Sequence, residues 1–317
     1  MNEDSKQHQR IGAAVLFLLL FLAVAPFAYG RYVRATNPPL GGNVYLTLRS
    51  NTPGHIASIF RFGKDRRLEL FLNDGKLNIT GSLSADGRTM AYVSMSPGEQ
   101  AGHITTLDLS TGEKKILTKG GTRHAREPKW SPQGDLIVFT AMPEGTSAFS
   151  YNPEDWNVYV TDLNGKEVLI GAGTHPQWSP DGSGILALRA DGLHLYGSKG
   201  GTREKVLDVP GTTAASINYV FDVSNDGKRM ALMDAANKIM LVNTIASWSP
   251  FVVEPYRTIP MHAFGVAFSP EARAIAVTEI QGARPQLSLY NLTTGSVRLL
   301  VDLSRYDQMQ MFLSDWK

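Results

Sequence analysis

The sequence predicts an all-β fold, a six-bladed β-propeller shut by its own two ends. Three observations carry this. A turn phrase recurs with a nearly constant period, each period holds further strand signals, and each end of the chain lacks what the other supplies. The clearest copy runs from Glu127 to Ala141: an apolar approach ends at Trp130, a polar turn follows at Ser131-Pro132-Gln133-Gly134, and then comes Leu136-Ile137-Val138-Phe139. Proline presets φ for the first turn corner, and glycine takes a corner where a Cβ would clash. The run after it is apolar and partly β-branched, which favours a strand.

The phrase returns at 175–190, with Trp178 before Ser179-Pro180-Asp181-Gly182. Weaker copies are Ser84-Ala85-Asp86-Gly87, Ser224-Asn225-Asp226-Gly227 and Ser269-Pro270-Glu271-Ala272, each followed by an apolar run. The marker serines stand at 84, 131, 179, 224 and 269, at intervals of 47, 48, 45 and 45, and a further step of 45 reaches Ser314. A period in the mid-forties belongs to propeller blades or helical arrays. No period contains a convincing amphipathic helix, so blades are predicted. Trp248-Ser249-Pro250 copies the phrase out of register, with no glycine or strand after it, and reads as a turn within a blade.

Later strand signals complete each period. After Phe139 come Asn157–Asp162 and Glu167–Ile170, joined by the hairpin turn Leu163-Asn164-Gly165-Lys166. Four short strands per period is the content of a propeller blade. Residues 43–73 offer three strands, Asn43–Arg49, His55–Phe62 and Arg67–Leu72, with no motif strand before them. Met309–Leu313 is a motif strand with nothing after it. Joined, the two ends make one blade, and the ring leaves no open sheet edge between blades.

The phrase Pro128-Lys129-Trp130-Ser131-Pro132 before Ile137-Val138-Phe139, then Val158-Tyr159-Val160-Thr161-Asp162, resembles the TolB-like (WD40-like) propeller repeats, as does Pro176 to Leu186. The resemblance covers roughly residues 40–317 and implies the propeller fold. Related blades occur in periplasmic TolB and in the propeller domains of prolyl-oligopeptidase-type enzymes. TolB itself carries a small α/β domain before its propeller, whereas here a short linker stands in that place.

Four regions follow: a polar tail at 1–10, an apolar segment at 11–30, a linker at 31–42 with Pro38-Pro39 and Gly41-Gly42, and the propeller at 43–317. Ile11 to Gly30 carries no charge over twenty positions, enough for a helix to cross about 30 Å of hydrocarbon. This reads as an uncleaved transmembrane anchor with the propeller outside the cytoplasm. A cleaved signal ending at Ala28-Tyr29-Gly30 is the rival, though the run exceeds the usual signal core of about 7–15 residues. The net charge of +2 gives no basic field for nucleic acid. With no cysteine, disulfides and thiolate chemistry are excluded. Asn78-Ile79-Thr80 and Asn291-Leu292-Thr293 are sequons that matter only in a eukaryotic secretory host.

No nucleophile elbow, Walker-type phosphate loop or HExxH helix occurs in the sequence. His124 and His262 both lie seven residues before their marker serine, an offset held by Asp307 in the blade after that of His262. That offset falls on the loop into the innermost strand, at one mouth of the central channel. With Arg126 and His175 nearby, the mouth is a candidate polar ligand site; solvated loop residues that never converge are the plain alternative. The longest in-blade insertion, Met142–Trp156, adds Phe149, Tyr151 and Trp156, rings suited to contacts or to capping the blade's own core. Trp130 and Trp178 share a register with Leu83, Val223, Phe268 and Leu313, all apolar, and are assigned to packing between blades.

The sequence therefore points to a membrane-anchored, non-catalytic binding or scaffold module for a protein or envelope component, with no metal or cofactor. The rival is a hydrolase or lyase at the channel mouth, using a metal or the His124, His175, His262, Arg126 and Asp307 set. The anchor is checked by an alkaline carbonate wash and N-terminal sequencing. An uncleaved chain stays with the membrane and begins at Met1; a soluble product beginning at Arg31 would contradict it.

Overall fold

Every copy of the turn phrase folds in one way. The N–H of Ser84, Ser131, Ser179, Ser224 and Ser269 donates to the carbonyl five residues on, and the serine carbonyl accepts from the N–H three residues on, all at 2.7–3.0 Å. Each serine hydroxyl also accepts the N–H five residues on, at 2.8–3.1 Å. Where an aspartate follows by two, the hydroxyl donates to it at 2.6 Å, as in Ser84–Asp86, Ser179–Asp181 and Ser224–Asp226. The third residue on takes a positive φ: 71° at Gly87, 77° at Gly134, 73° at Gly182, 66° at Gly227 and 54° at Ala272. The motif serine, aspartate and glycine are thus fold residues.

The computed structural model describes residues 41–50, 57–118, 123–143, 155–201, 203–208, 221–233, 238–242, 245–248, 250–253, 257–281, 284–303 and 309–317. The expected tail and anchor, residues 1–30, and all but the last two residues of the linker lie outside them. No helix among the described residues is long and apolar enough to cross a membrane.

The described chain is all-β. Its strands are β1 (Val44–Ser50), β2 (Ala57–Phe62), β3 (Leu68–Leu72), β4 (Leu77–Leu83), β5 (Thr89–Met95), β6 (His103–Asp108) and β7 (Lys114–Ile116). Next come β8 (Ala125–Trp130), β9 (Leu136–Ala141), β10 (Asn157–Asp162), β11 (Glu167–Ala172), β12 (Thr174–Trp178), β13 (Gly184–Arg189), β14 (Gly192–Gly197) and β15 (Arg203–Leu207). The rest are β16 (Phe221–Val223), β17 (Met230–Met233), β18 (Lys238–Val242), β19 (Ile245–Trp248), β20 (Phe251–Val253), β21 (Arg257–His262), β22 (Gly265–Phe268), β23 (Ala274–Gln281), β24 (Arg284–Asn291), β25 (Val297–Asp302) and β26 (Met309–Trp316).

β8–β11, β12–β15, β16-β17-β18-β21 and β22–β25 form four-stranded sheets. β26-β1-β2-β3 and β4–β7 share an eight-stranded sheet, joined by a single parallel pairing, Ala57 with Leu77. The two chain ends do meet: β1 pairs antiparallel with β26 from Val44–Trp316 to Ser50–Met309, with a bulge at Tyr45/Leu46. Backbone bonds between Asn43 and Lys317 extend that pairing in both directions, at 2.5 and 3.0 Å. The out-of-register Trp248 phrase differs from a simple turn. It belongs to a separate hairpin, β19–β20, inserted between β18 and β21, with Trp248 and Phe251 edge to face at 5.4 Å.

The sheets pack face to face because their central strands are apolar on both sides. In β9, Ile137, Phe139 and Ala141 join a cluster with Ala91, Val93 and Ile104 of the preceding unit. Val138 points the other way, into a cluster with Ile185 and Ala187 of the following unit. Trp130 and Trp178, 9% and 7% exposed, sit at these seams as the register predicts. The Trp130 indole donates to Ser82 O, and that of Trp178 to Lys129 O, both at 3.1 Å. Further seams carry Leu83 N–H to Asp315 Oδ2 at 2.9 Å, Gln177 Nε2 to Phe221 O at 3.2 Å and Phe268 N–H to Asp222 Oδ2 at 2.8 Å.

Ala272 holds a backbone conformation that costs an L-residue about 1 kcal/mol. Ala272→Gly is expected to raise stability by roughly 0.5–1 kcal/mol and the melting temperature by about 1–4 °C. Ser179→Ala is expected to lower stability by about 1–2 kcal/mol through the lost turn bonds. Thermal melts of the two variants check both signs.

Candidate functional site

The innermost strands begin on the side opposite the serine turns, here termed the leading end. In β8 and β12 they begin with the same irregularity. Register slips between Arg126 and Lys129, and between Thr174 and Gln177. The bulged residues are Glu127-Pro128 and His175-Pro176, four and three positions before their serines. Proline has no ladder N–H to lose at a bulge. Glu127 and His175 take φ of 58° and 53°, among the few non-glycine residues with positive φ. Each such residue costs on the order of 1–3 kcal/mol.

The two strained residues bind each other. Glu127 Oε2 accepts the His175 backbone N–H at 2.8 Å, an N–H that the bulge releases from the ladder. It also accepts the Thr140 hydroxyl at 3.1 Å, while Oε1 lies 3.3 Å from His175 Nε2 and 3.8 Å from an Arg126 nitrogen. Burial alone would push the Glu127 carboxyl up, but His175, Arg126 and these hydrogen bonds outweigh it and hold the pKa below the usual range. Burial pushes the His175 imidazole down, against the pull of Glu127. The His175 ring lies against the carboxylate with its Nε2 3.3 Å from Oε1, and its Nδ1 is buried without a hydrogen-bond partner among the described residues.

Arg126 and His124 stand beside this pair. The Arg126 guanidinium lies 3.7 Å from the centroid of the Trp156 ring, and the His124 ring meets the same indole edge to face at 6.1 Å. His124 Nδ1 accepts the Gly102 N–H at 2.8 Å, which fixes the tautomer with hydrogen on Nε2. Burial, then the charges of Arg126, His103 and Arg49, lower the His124 pKa from 6.5 to about 4, so the ring is neutral at physiological pH.

Four of the eight sequence-predicted site residues therefore come together: His124, Arg126 and Trp156 in direct contact, and His175 through Glu127. Of the two roles expected of the insertion's rings, an exposed contact or a buried cap, Trp156 takes the buried one. It is 1% exposed, at the root of the insertion under Arg126, because a large indole gains most from burial. His262 is the last residue of β21, paired through its backbone with Lys238, and its side chain lies outside the described residues. Asp307, Phe149 and Tyr151 also lie outside them. Glu127 was missed in the sequence; the signal was an acidic residue and a histidine before proline at one offset in adjacent units. Among the described residues no group of three or more His, Cys, Asp or Glu side chains is placed to hold a metal ion.

No protein-family model matches the sequence. Among solved structures, TolB from Acinetobacter baumannii is similar to the chain at 19% identity and a TM-score of 0.60, over 90% of this chain and 70% of its own. A nidogen/laminin complex is similar at 11% identity and a TM-score of 0.60, over 86% of this chain and 98% of its own. Oligogalacturonate lyase from Vibrio parahaemolyticus follows at 13% identity and a TM-score of 0.52, over 78% and 72%. These likenesses are of fold: the chain has a TolB-like β-propeller fold.

The depressed histidines set a pH window. Below pH 6.5 the unfolded chain gains a proton that His124 in the folded chain refuses until about pH 4. The unfolded state then binds more protons, so stability falls as pH drops, by up to about 1.4 kcal/mol per unit for one such group. Chemical denaturation between pH 7 and 4 is expected to show this slope, and His124→Gln to flatten it. A wild-type profile flat over that window would contradict the buried, neutral His124.

Proposed function

We propose that this protein is a non-catalytic binding module, a closed six-bladed propeller carried outside the cytoplasm on residues 11–30, which takes a protein or envelope component at the leading end of its inner strands. One observation carries the reading: the cluster around Arg126 is built to hold a ligand and poorly equipped to move a proton. The Glu127 carboxylate is engaged by the His175 N–H, the His175 ring and Thr140. The Nδ1 lone pair of His124 is taken by Gly102, so that neutral ring can only donate. General acid–base catalysis needs a group with a usable lone pair and a pKa near the working pH, and neither group offers both. What the cluster offers is a guanidinium laid on an aromatic face beside a fixed imidazole donor, a recognition arrangement. The likeness to TolB and to a nidogen/laminin complex agrees with a binding propeller.

The fold likeness to oligogalacturonate lyase keeps one rival, an enzyme at the same mouth using His124 and His175. The test is chemical crosslinking from the native envelope fraction with the wild-type chain and an Arg126→Glu, His124→Gln double variant. A defined partner captured by the wild type and lost in the double variant supports the reading. Equal capture by both, or turnover of an oligouronide or peptide abolished by His124→Gln, would overturn it.

A further inference from the structure

The side of the serine turns is unevenly charged. Each unit shows two turns there, the serine turn and the turn before its outermost strand. They lie together, as the bonds from Leu109 N–H to Arg88 O and from Leu292 N–H to Arg273 O show. In the unit β26-β1-β2-β3 and its neighbour β22–β25, the exposed Lys64, Arg66, Arg67 and Arg273 outnumber Asp65 and Glu271. In β4–β7 and β8–β11 the balance is reversed: Asp86, Asp108, Glu113, Asp135 and Asp162 outnumber Arg88, Lys114 and Lys166. The basic sector is also where the chain enters the fold. A Cβ at Gly41 would meet the Glu271 carboxylate, and one at Gly63, which opens the Lys64–Arg67 turn, would lie 3.5 Å from Asn43 Oδ1.

We infer that this basic sector rests on the anionic headgroups of the lipid bilayer, given that residues 11–30 anchor the chain as proposed above. Anionic lipid attracts lysine and arginine within about a Debye length, roughly 10 Å at ordinary salt. A patch of this size is weak alone, but a covalent anchor keeps it at high effective concentration beside the membrane. The linker, residues 31–40, spans at most about 33–36 Å. To turn the leading end to the lipid instead, it would have to cross the outer strands of its sheet, about 10 Å, and then follow a strand for about 20 Å. That would use nearly all of its reach. The linker is no counter-charge for the sector either, since its charged residues are Arg31 and Arg34. With the serine turns held to the lipid, the leading end faces away from the membrane, open to a partner.

The chain has no cysteine, so single labels are placed cleanly. Val297, exposed at the start of β25 in the basic half, and Ser110, exposed in the acidic half, are each changed to cysteine in the full-length chain and given a fluorophore. The chain is reconstituted into vesicles of phosphatidylcholine alone, or of equal parts phosphatidylcholine and phosphatidylglycerol, with a nitroxide on a fraction of the headgroups. In the anionic vesicles the Val297→Cys label is expected to be quenched more strongly than the Ser110→Cys label. The difference is expected to be lost in phosphatidylcholine alone, at high salt, and in a Lys64→Glu, Arg67→Glu variant. Lipid charge and salt act on the unaltered turn, so the test stands even if the double variant does not fold. Equal quenching at both positions, or a difference unmoved by lipid charge and salt, would overturn the inference. So would a Val297→Cys label shielded according to protein density, the sign of a second copy in that sector. A chain that floats with the vesicles with neither label quenched removes the inference alone; a chain that does not float removes the anchor reading and the inference with it.

Discussion

The sheets of this protein have almost no face to spare for water. In β9 and β13 nearly every residue is buried, because alternate side chains serve the unit before and the unit after. A sheet apolar on both faces is stable only between two others. The constraint passes from unit to unit until it reaches the chain ends, where β26 lies against β1 and presents Leu313 toward Gly265 of β22. A Cβ at Gly265 would stand 2.7 Å from the Leu313 Cβ, so that seam is tight enough to need a glycine. Lys129 reaches Ser314 O at 3.1 Å, across from the third unit to the terminal strand, and Lys317 reaches Asn225 at 2.9 Å. The inner strands thus converge on one another beyond their nearest neighbours.

The candidate site follows from the same constraint. Inner strands that crowd together leave little room for regular ladders at their leading ends, and β8 and β12 bulge there. A bulge frees an N–H, and a buried free N–H demands an acceptor. Glu127 supplies it from the neighbouring unit, at the expense of a positive φ in both partners. Once placed, the carboxylate draws in Arg126 and His175, and Arg126 covers Trp156. A packing problem between two sheets has become a fixed polar cluster at the leading end.

Much of the fold was legible in the sequence because turn chemistry is local. Serine, proline or aspartate, and glycine at fixed offsets fix the backbone wherever they occur, and the strands came out within a few residues of their expected limits. Pairing of the two ends was legible from what each lacked. The β19–β20 hairpin was not, since an inserted pair of short strands breaks no period strongly enough to be seen. Of the site, His124, Arg126 and His175 could be chosen by register, but their convergence depends on bulges that sequence spacing does not reveal. Glu127 was hidden for the same reason. An acidic residue before proline reads as a turn approach until the N–H it accepts is known to come from another unit. Trp156 was visible as an aromatic, yet spacing alone did not decide between an exposed contact and a buried ring.

The dependence of the whole on its terminal strand is tested most directly by removing it. A chain truncated after residue 308 loses the β1–β26 ladder, Leu313 and Trp316 in the core, and the Asp315 cap on Leu83. Its melting temperature is expected to fall by at least about 10 °C or its transition to lose cooperativity, since burial lost at one seam exposes the sheets on either side. A truncated chain that melts at the same temperature and as sharply as the intact one would contradict the dependence of every sheet on both of its neighbours.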